Sequence, residues 1–140
     1  MVGFEIRAAH NLMKRYAKSS DNHKDTKDLT DMQRRVIGYL SEHEDKDIFQ
    51  KDLEEEFSVR RSTATGILQL MEKNGLITRE PVSYDARLKK IVLTEKAIVV
   101  RNIIRKQIEE HEKKLKRGIS DEELEVFFNV MKKIRKNLGE

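Results

Sequence analysis

Two short amphipathic patterns, Gln50 to Phe57 and Arg60 to Lys73, stand end to end with only a tight turn between them. In the first, Leu53 and Phe57 face inward. In the second, Ala64, Ile67, Leu68 and Met71 recur at spacings of three, one and three, which predicts a helix with a single buried stripe. Asn74-Gly75 ends that helix, because both residue types readily adopt the left-handed conformation a helix end requires. Leu76 to Glu80 and Leu88 to Leu93 then read as two short strands joined by the loop Pro81 to Ala86. In the second strand Ile91 and Leu93 alternate with Lys90 and Val92.

Longer helices flank this centre. Phe4 to Tyr16 places Phe4, Ala8, Leu12, Met13 and Tyr16 at helical spacing and runs into a polar stretch, Ser19 to Asp28, that reads as a helix end and loop. Thr30 with Gln33 forms a capping-box pattern ahead of Val36, Ile37 and Leu40. Thr94-Glu95 opens a long helix to about Lys116, with Ala97, Val100, Ile104, Ile108, His111 and Leu115 along one seam. Gly118 breaks it. Ser120 to Glu123 is a second capping box, followed by Leu124, Phe127, Phe128, Met131, Ile134 and Leu138. The expected fold is therefore mainly α with a small β-hairpin, in the order α-α-α-α-β-β-α-α. Only 6 glycines and 1 proline in 140 residues agree with few tight turns and one modest domain.

The composition excludes several function classes. There is no cysteine, which removes disulfides, thiolate zinc ligands, a cysteine nucleophile and thiol redox sensing. No apolar run approaches the roughly 18 residues of a spanning helix. The amino-terminal sixteen residues carry charges where a signal peptide needs an apolar stretch, so a cytosolic protein is expected. No glycine-rich phosphate loop, zinc-peptidase histidine pair, Ser-x-x-Lys or nucleophile elbow occurs, so neither an enzyme nor a cofactor is implied.

Charge is segregated beneath a net value of +4. Residues 42–57 carry 8 acidic and 2 basic side chains, whereas residues 58–90 carry 7 basic and 3 acidic ones. The basic set is Arg60, Arg61, Lys73, Arg79, Arg87, Lys89 and Lys90, clustered at the start and end of one helix and along the strand pair. A basic helix start beside a basic hairpin suits a polyanion, since each phosphate neutralised releases bound counterions. The two short helices form a helix-turn-helix candidate, whose second helix would present Arg60, Arg61, Ser62, Thr63 and Thr65 to a DNA major groove. Arginine pairs bidentately with guanine, and serine or threonine bonds base edges or phosphates. Ser62 and Thr63 are equally suited to capping their helix. The hairpin becomes a wing, with Arg87 at its tip directed to the adjacent minor groove.

With these features the chain resembles the multiple-antibiotic-resistance regulator (MarR) family of bacterial transcription factors. The resemblance rests on Phe57 to Ala97: the helix end Leu70 to Ile77, the wing-tip Asp85-Ala86-Arg87, and Leu93 to Ala97. It implies a winged helix-turn-helix homodimer whose terminal helices form a dimerisation region. In those terms, residues 30–94 would be the DNA-binding lobe within a single domain of 1–140, and residues 1–22 and 95–140 the dimerisation helices. Arg87 would enter the minor groove, Asp85 would hold the wing through a nearby arginine, and Lys89 would support the DNA contact. Repression of a pseudo-palindromic operator, relieved by a small anionic or aromatic effector, is the activity the resemblance implies. Three positions depart from the family pattern: Ala86 and Gly66 replace frequent arginines, and Arg60 replaces a frequent serine cap, leaving Ser58 or Ser62 to cap the helix.

Control remains open at the sequence level. His10, Met13, Lys14, Arg15 and Tyr16 would contribute to an effector pocket between the first, second and fifth helices, or else Met13 and Tyr16 belong to a dimer core. Glu42-His43-Glu44 and Glu109 to Glu112 set carboxylates beside imidazoles, as a zinc- or manganese-responsive regulator would require, yet adjacent helical residues point in different directions. His111 on an apolar seam equally fits a hydrogen-bonded core histidine. A winged helix that binds another protein is a further alternative.

Overall fold

The computed structural model describes residues 1–140. Six helices and one hairpin follow in order: α1 (Val2–Ser20), α2 (Asp31–Glu42), α3 (Gln50–Glu56), α4 (Arg61–Lys73), β1 (Ile77–Val82), β2 (Asp85–Leu93), α5 (Glu95–Lys116) and α6 (Asp121–Asn137). This is a winged helix-turn-helix arrangement, mainly helical, as the sequence predicts. The chain forms two compact units, Met1–Gln107 and Ile108–Glu140.

Local chemistry sets most of the boundaries. The Thr30 hydroxyl accepts the Gln33 backbone N–H at 3.1 Å while the Gln33 side chain accepts the Thr30 N–H, so two otherwise unpaired donors of α2 are satisfied. Ser120 and Glu123 do the same for α6 at 3.2 and 2.8 Å. Thr94 both accepts the Ala97 N–H at the start of α5 and donates to the Gly75 carbonyl. Gly75, at φ +72, lets the Leu76 N–H reach back to the Met71 carbonyl and its own N–H to Glu72, closing α4 in a Schellman turn.

Two expectations change. The hairpin is longer than its apolar alternation suggests, because β1 runs on through Pro81 and Val82 and β2 begins at Asp85, with Pro81 opposite Lys89 and Val82 opposite Asp85, which leaves Ala86 to Leu88 as an irregularity in β2 and Ser83-Tyr84 as the turn. Proline is tolerated there because this strand has a free edge, where its missing N–H deprives no neighbour. The start of α4 is also not capped by Ser58 or Ser62. Arg60 occupies the cap position without a side-chain bond, and Ser58 instead makes the turn after α3, at φ +50, a backbone state that costs a non-glycine residue about 1–2 kcal/mol.

One core serves the first unit. Val36, Ile37 and Leu40 of α2 meet Leu53 of α3, Leu68 and Met71 of α4, Leu76, Ile77 and Ile91 around the hairpin base, and Ala97 and Val100 of α5. Beside it lies a polar knot. Thr26, fully buried, donates to Asp21 at 2.6 Å, and the Gln107 amide donates to both. The Arg34 guanidinium completes the set by pairing with the Asp21 carboxylate and donating to the Thr26 carbonyl at 2.6 Å. The end of α1, the following loop, α2 and α5 are thereby tied through one carboxylate.

The remaining apolar stripes are uncovered. No residue of α1 or α6 is buried, and Phe4, Leu12 and Met13 stay exposed, as do Val126, Phe127 and Phe128. The predicted α5 seam is buried only at Ala97 and Val100, while Ile108 and Leu115 are open.

Burial pushes the Asp21 pKa up, but the hydrogen bonds from Thr26, Arg34 and Gln107 and the Arg34 charge outweigh it and hold the carboxyl below its ordinary 3.8. A depressed folded-state value contributes stability that is complete above the unfolded pKa and is lost as pH falls through the folded one. Asp21→Asn is therefore expected to lower unfolding free energy at neutral pH by about 1–3 kcal/mol. Urea titrations at successively lower pH should show that difference begin to shrink near the ordinary carboxyl pKa of about 4, as the unfolded-state carboxyl protonates, and vanish once the folded-state one has protonated as well.

Candidate nucleic-acid interface

The amino-terminal turn of α4 projects four of the predicted contacts into solvent. Arg60, Arg61, Ser62 and Thr63 are all exposed, and neither arginine has a carboxylate partner. Ala64, Leu68 and Met71, on the opposite stripe, are buried and fasten the helix to the lobe. Thr65 behaves differently. It is half-buried, and its hydroxyl oxygen accepts the Gln50 side-chain amide at 2.8 Å.

The wing tip carries the second group of cations. Arg87 extends into solvent with 89% of its side chain exposed, yet its Nε and Nη2 reach the two Asp85 oxygens at 3.2 and 3.1 Å. The Arg87 backbone N–H also donates to Asp85 at 2.9 Å. Asp85 thus holds both the strand and the guanidinium of the same residue. The Arg87 hydrogen bonds keep the Asp85 carboxyl below its ordinary range, and the carboxylate raises the Arg87 pKa in return, so both stay charged around neutral pH. Lys89 is exposed beside them on β2. Arg79 and Lys90 are internally neutralised, by Glu72 at 3.1 Å and Asp47 at 3.4 Å.

Residues that the sequence did not single out fix this geometry. The Tyr84 hydroxyl, at the hairpin turn, donates to Asp47 at 3.0 Å, and Lys90 holds the other oxygen of the same carboxylate. The next residue, Ile48, accepts the Ile91 N–H at 2.8 Å, so the segment ahead of α3 lies along the outer edge of β2. Desolvation, the bond to Asp47 and the nearby carboxylates raise the Tyr84 pKa, which keeps its hydroxyl a donor. The partners are 37 positions apart, and no local spacing rule announces them.

The other predicted features fall elsewhere. His10, Met13, Lys14, Arg15 and Tyr16 are exposed on α1. A small apolar pocket of the lobe is lined by Met32, Val36, Leu53, Phe57, Ala64 and Leu68, between α2, α3 and α4. The Glu42 to Glu44 run is divided among unrelated tasks: the His43 Nδ1 lies 2.8 Å from the Tyr39 carbonyl, and Glu44 pairs with Arg101 at 2.9 Å. No three His, Asp or Glu side chains converge in a metal-holding group. No helix is long and apolar enough to cross a membrane.

With this geometry in place, comparison with known proteins converges on one group. The MarR family model matches residues 27–88. An uncharacterized HTH-type transcriptional regulator of Bacillus subtilis (strain 168), YybA, is 31% identical over 113 residues, covering 80% of this chain and 75% of its own. Among solved structures, MepR, a transcription regulator of the Staphylococcus aureus multidrug efflux pump MepA, superposes with a TM-score of 0.81 at 25% identity, covering 99% of this chain and 98% of its own. The S. aureus MepR-DNA complex gives 0.76 at 25% identity, with 99% and 96% covered.

If the anchor at Asp47 positions the wing, Tyr84→Phe should leave the melting temperature within about 2 °C of the wild type, since a single exposed hydrogen bond contributes little to stability. It should nevertheless weaken DNA binding several-fold by freeing the tip. Fluorescence anisotropy with labelled duplexes checks this; unchanged affinity would show that the wing needs no such tether.

Proposed function

The chain belongs to the MarR family of transcriptional regulators, and from that membership together with the interface geometry we propose that it is a homodimeric repressor of a pseudo-palindromic DNA operator. The family and the compared proteins are regulators of transcription rather than enzymes. The observation that carries the proposal is the presence of two exposed cationic elements on one lobe: unpartnered Arg60 and Arg61 at the start of α4, and the outstretched Arg87 of a wing braced by Asp85.

Each element has a distinct role in this reading. Arg61, with Ser62 and Thr63, faces base edges and phosphates in the major groove, while Arg60 neutralises phosphate. Arg87 enters the flanking minor groove, where a narrow, electronegative floor attracts a guanidinium. Lys89 adds a backbone contact. In the assignment proposed, residues 30–94 form the DNA-reading lobe, and residues 1–22 and 95–140 dimerise through the exposed faces of α1 and α6. Two lobes related by a dyad would then read two half-sites, which is why the operator is proposed to be a pseudo-palindrome. A small anionic or aromatic effector would release DNA by changing the spacing of the lobes. Family membership supports that last element.

The purified protein should bind DNA from immediately upstream of its own gene at least roughly a thousandfold more tightly than random DNA at physiological salt. Equal, weak binding to both would overturn the repressor assignment at that locus. Arg87→Ala should sharply reduce operator affinity while sedimentation still gives the dimer mass. Arg61→Ala should lose about 1–3 kcal/mol on the operator and less on random DNA if it reads a base; equal losses would make it a phosphate contact.

A further inference from the structure

The first turn of α4 lacks the side-chain cap that usually fixes a helix start, because Arg60 stands in the cap position and makes no bond there. A side chain from the preceding helix reaches the same turn, as a donor rather than as a cap. The Gln50 Nε2, at the first residue of α3, lies 2.8 Å from the Thr65 hydroxyl oxygen and 3.3 Å from the Arg61 carbonyl. A carbonyl can only accept, so the nitrogen end of the amide must face α4, and its two N–H groups match the two acceptors.

This arrangement changes what Thr65 can offer. A helical threonine ordinarily turns its proton back to the carbonyl four residues earlier, which here is Arg61. That oxygen already takes the helical N–H on one lone pair and Gln50 on the other. The Thr65 oxygen itself accepts from Gln50, so its proton cannot point toward the amide either. The hydroxyl makes no bond to the Ser62 carbonyl three residues earlier either, and is left as an outward donor.

We propose that Gln50 is a specificity-determining positioning residue, which acts by making Thr65 an obligate hydrogen-bond donor toward DNA. It touches no base itself. Of the major-groove edges, guanine, thymine and adenine present acceptors, and cytosine presents only an amino donor. Thr65 therefore selects against cytosine at one position of each half-site, and does so only while Gln50 is in place. The inference rests on the operator-binding reading above.

The test is selection from a pool of 30-bp duplexes with a randomised centre, using the full-length protein and the variants Gln50→Met, Thr65→Val, Thr65→Ser and the Gln50→Met/Thr65→Val pair, each first checked for an unchanged dimer mass and melting transition. The wild type and Thr65→Ser should enrich one motif that excludes cytosine at a single position per half-site. Gln50→Met and Thr65→Val should each lose the bias at that same position, with operator affinity falling about tenfold and random-DNA affinity unmoved. The double variant should be no worse than either single one. A Gln50→Met profile identical to the wild type overturns the inference, as does a uniform loss on operator and random DNA alike. Failure of the wild type to enrich any motif overturns the operator reading and the inference with it.

Discussion

A two-stranded hairpin is marginal in water by itself, and the wing exists because its base is built into the core of the lobe. Leu76, Ile77 and Ile91 are buried there against α2, α4 and α5. The Ile48 carbonyl takes up the Ile91 N–H on the outer edge of β2, and the Thr94 N–H returns to Leu76 at the other end. Everything distal is held out from that base. Arg87 can stand almost wholly in solvent because Asp85 braces it locally, while Asp47 steadies the turn through Tyr84 and the strand through Lys90. The recognition helix depends on the same core through Leu68 and Met71, so one set of apolar contacts positions both cationic elements.

Features governed by near neighbours along the chain are legible in the sequence itself. The capping boxes at Thr30 and Ser120, the Thr94 start of α5 and the Gly75 stop of α4 each depend on residues three or four positions apart, and each appears where the spacing places it. The exposed cations at Arg60, Arg61 and Arg87 are legible too, since charged side chains at a helix start and a hairpin tip have nowhere to go but outward. Pro81 misleads the reading of the hairpin, because a residue that usually interrupts a ladder is accommodated on a free strand edge. The bracing contacts are not legible. Gln50 meets Thr65 across 15 positions, Asp47 meets Tyr84 across 37, and Gln107 meets Asp21 across 86. Polar pairs of that kind are fixed by how elements pack, and no periodicity in the chain encodes them.

The acidic segment from Glu42 to Phe57 takes on meaning in this light. Three of its eight carboxylates are used inside the protein: Asp47 tethers the wing, Asp52 accepts the Phe49 N–H at the start of α3, and Glu44 pairs with Arg101 of α5. The cations it engages, Lys90 and Arg101, are withdrawn from the surface available to a polyanion. What remains at the tips, Arg60, Arg61, Arg87 and Lys89, is a sparse and defined set rather than a general basic coat. Sparse cations bind any duplex weakly and leave discrimination to individual contacts.

The uncovered aromatic face of α6, with the Phe127 and Phe128 rings set edge to face at 5.5 Å, carries a consequence of another kind. In the proposed homodimer those rings leave water only when two chains meet, so assembly obeys mass action. At chain concentrations below the dimer dissociation constant, the DNA-competent species grows as the square of the amount of protein. Twofold changes in synthesis or degradation would then become nearly fourfold changes in operator loading, which makes the abundance of the chain itself a control input alongside any small molecule.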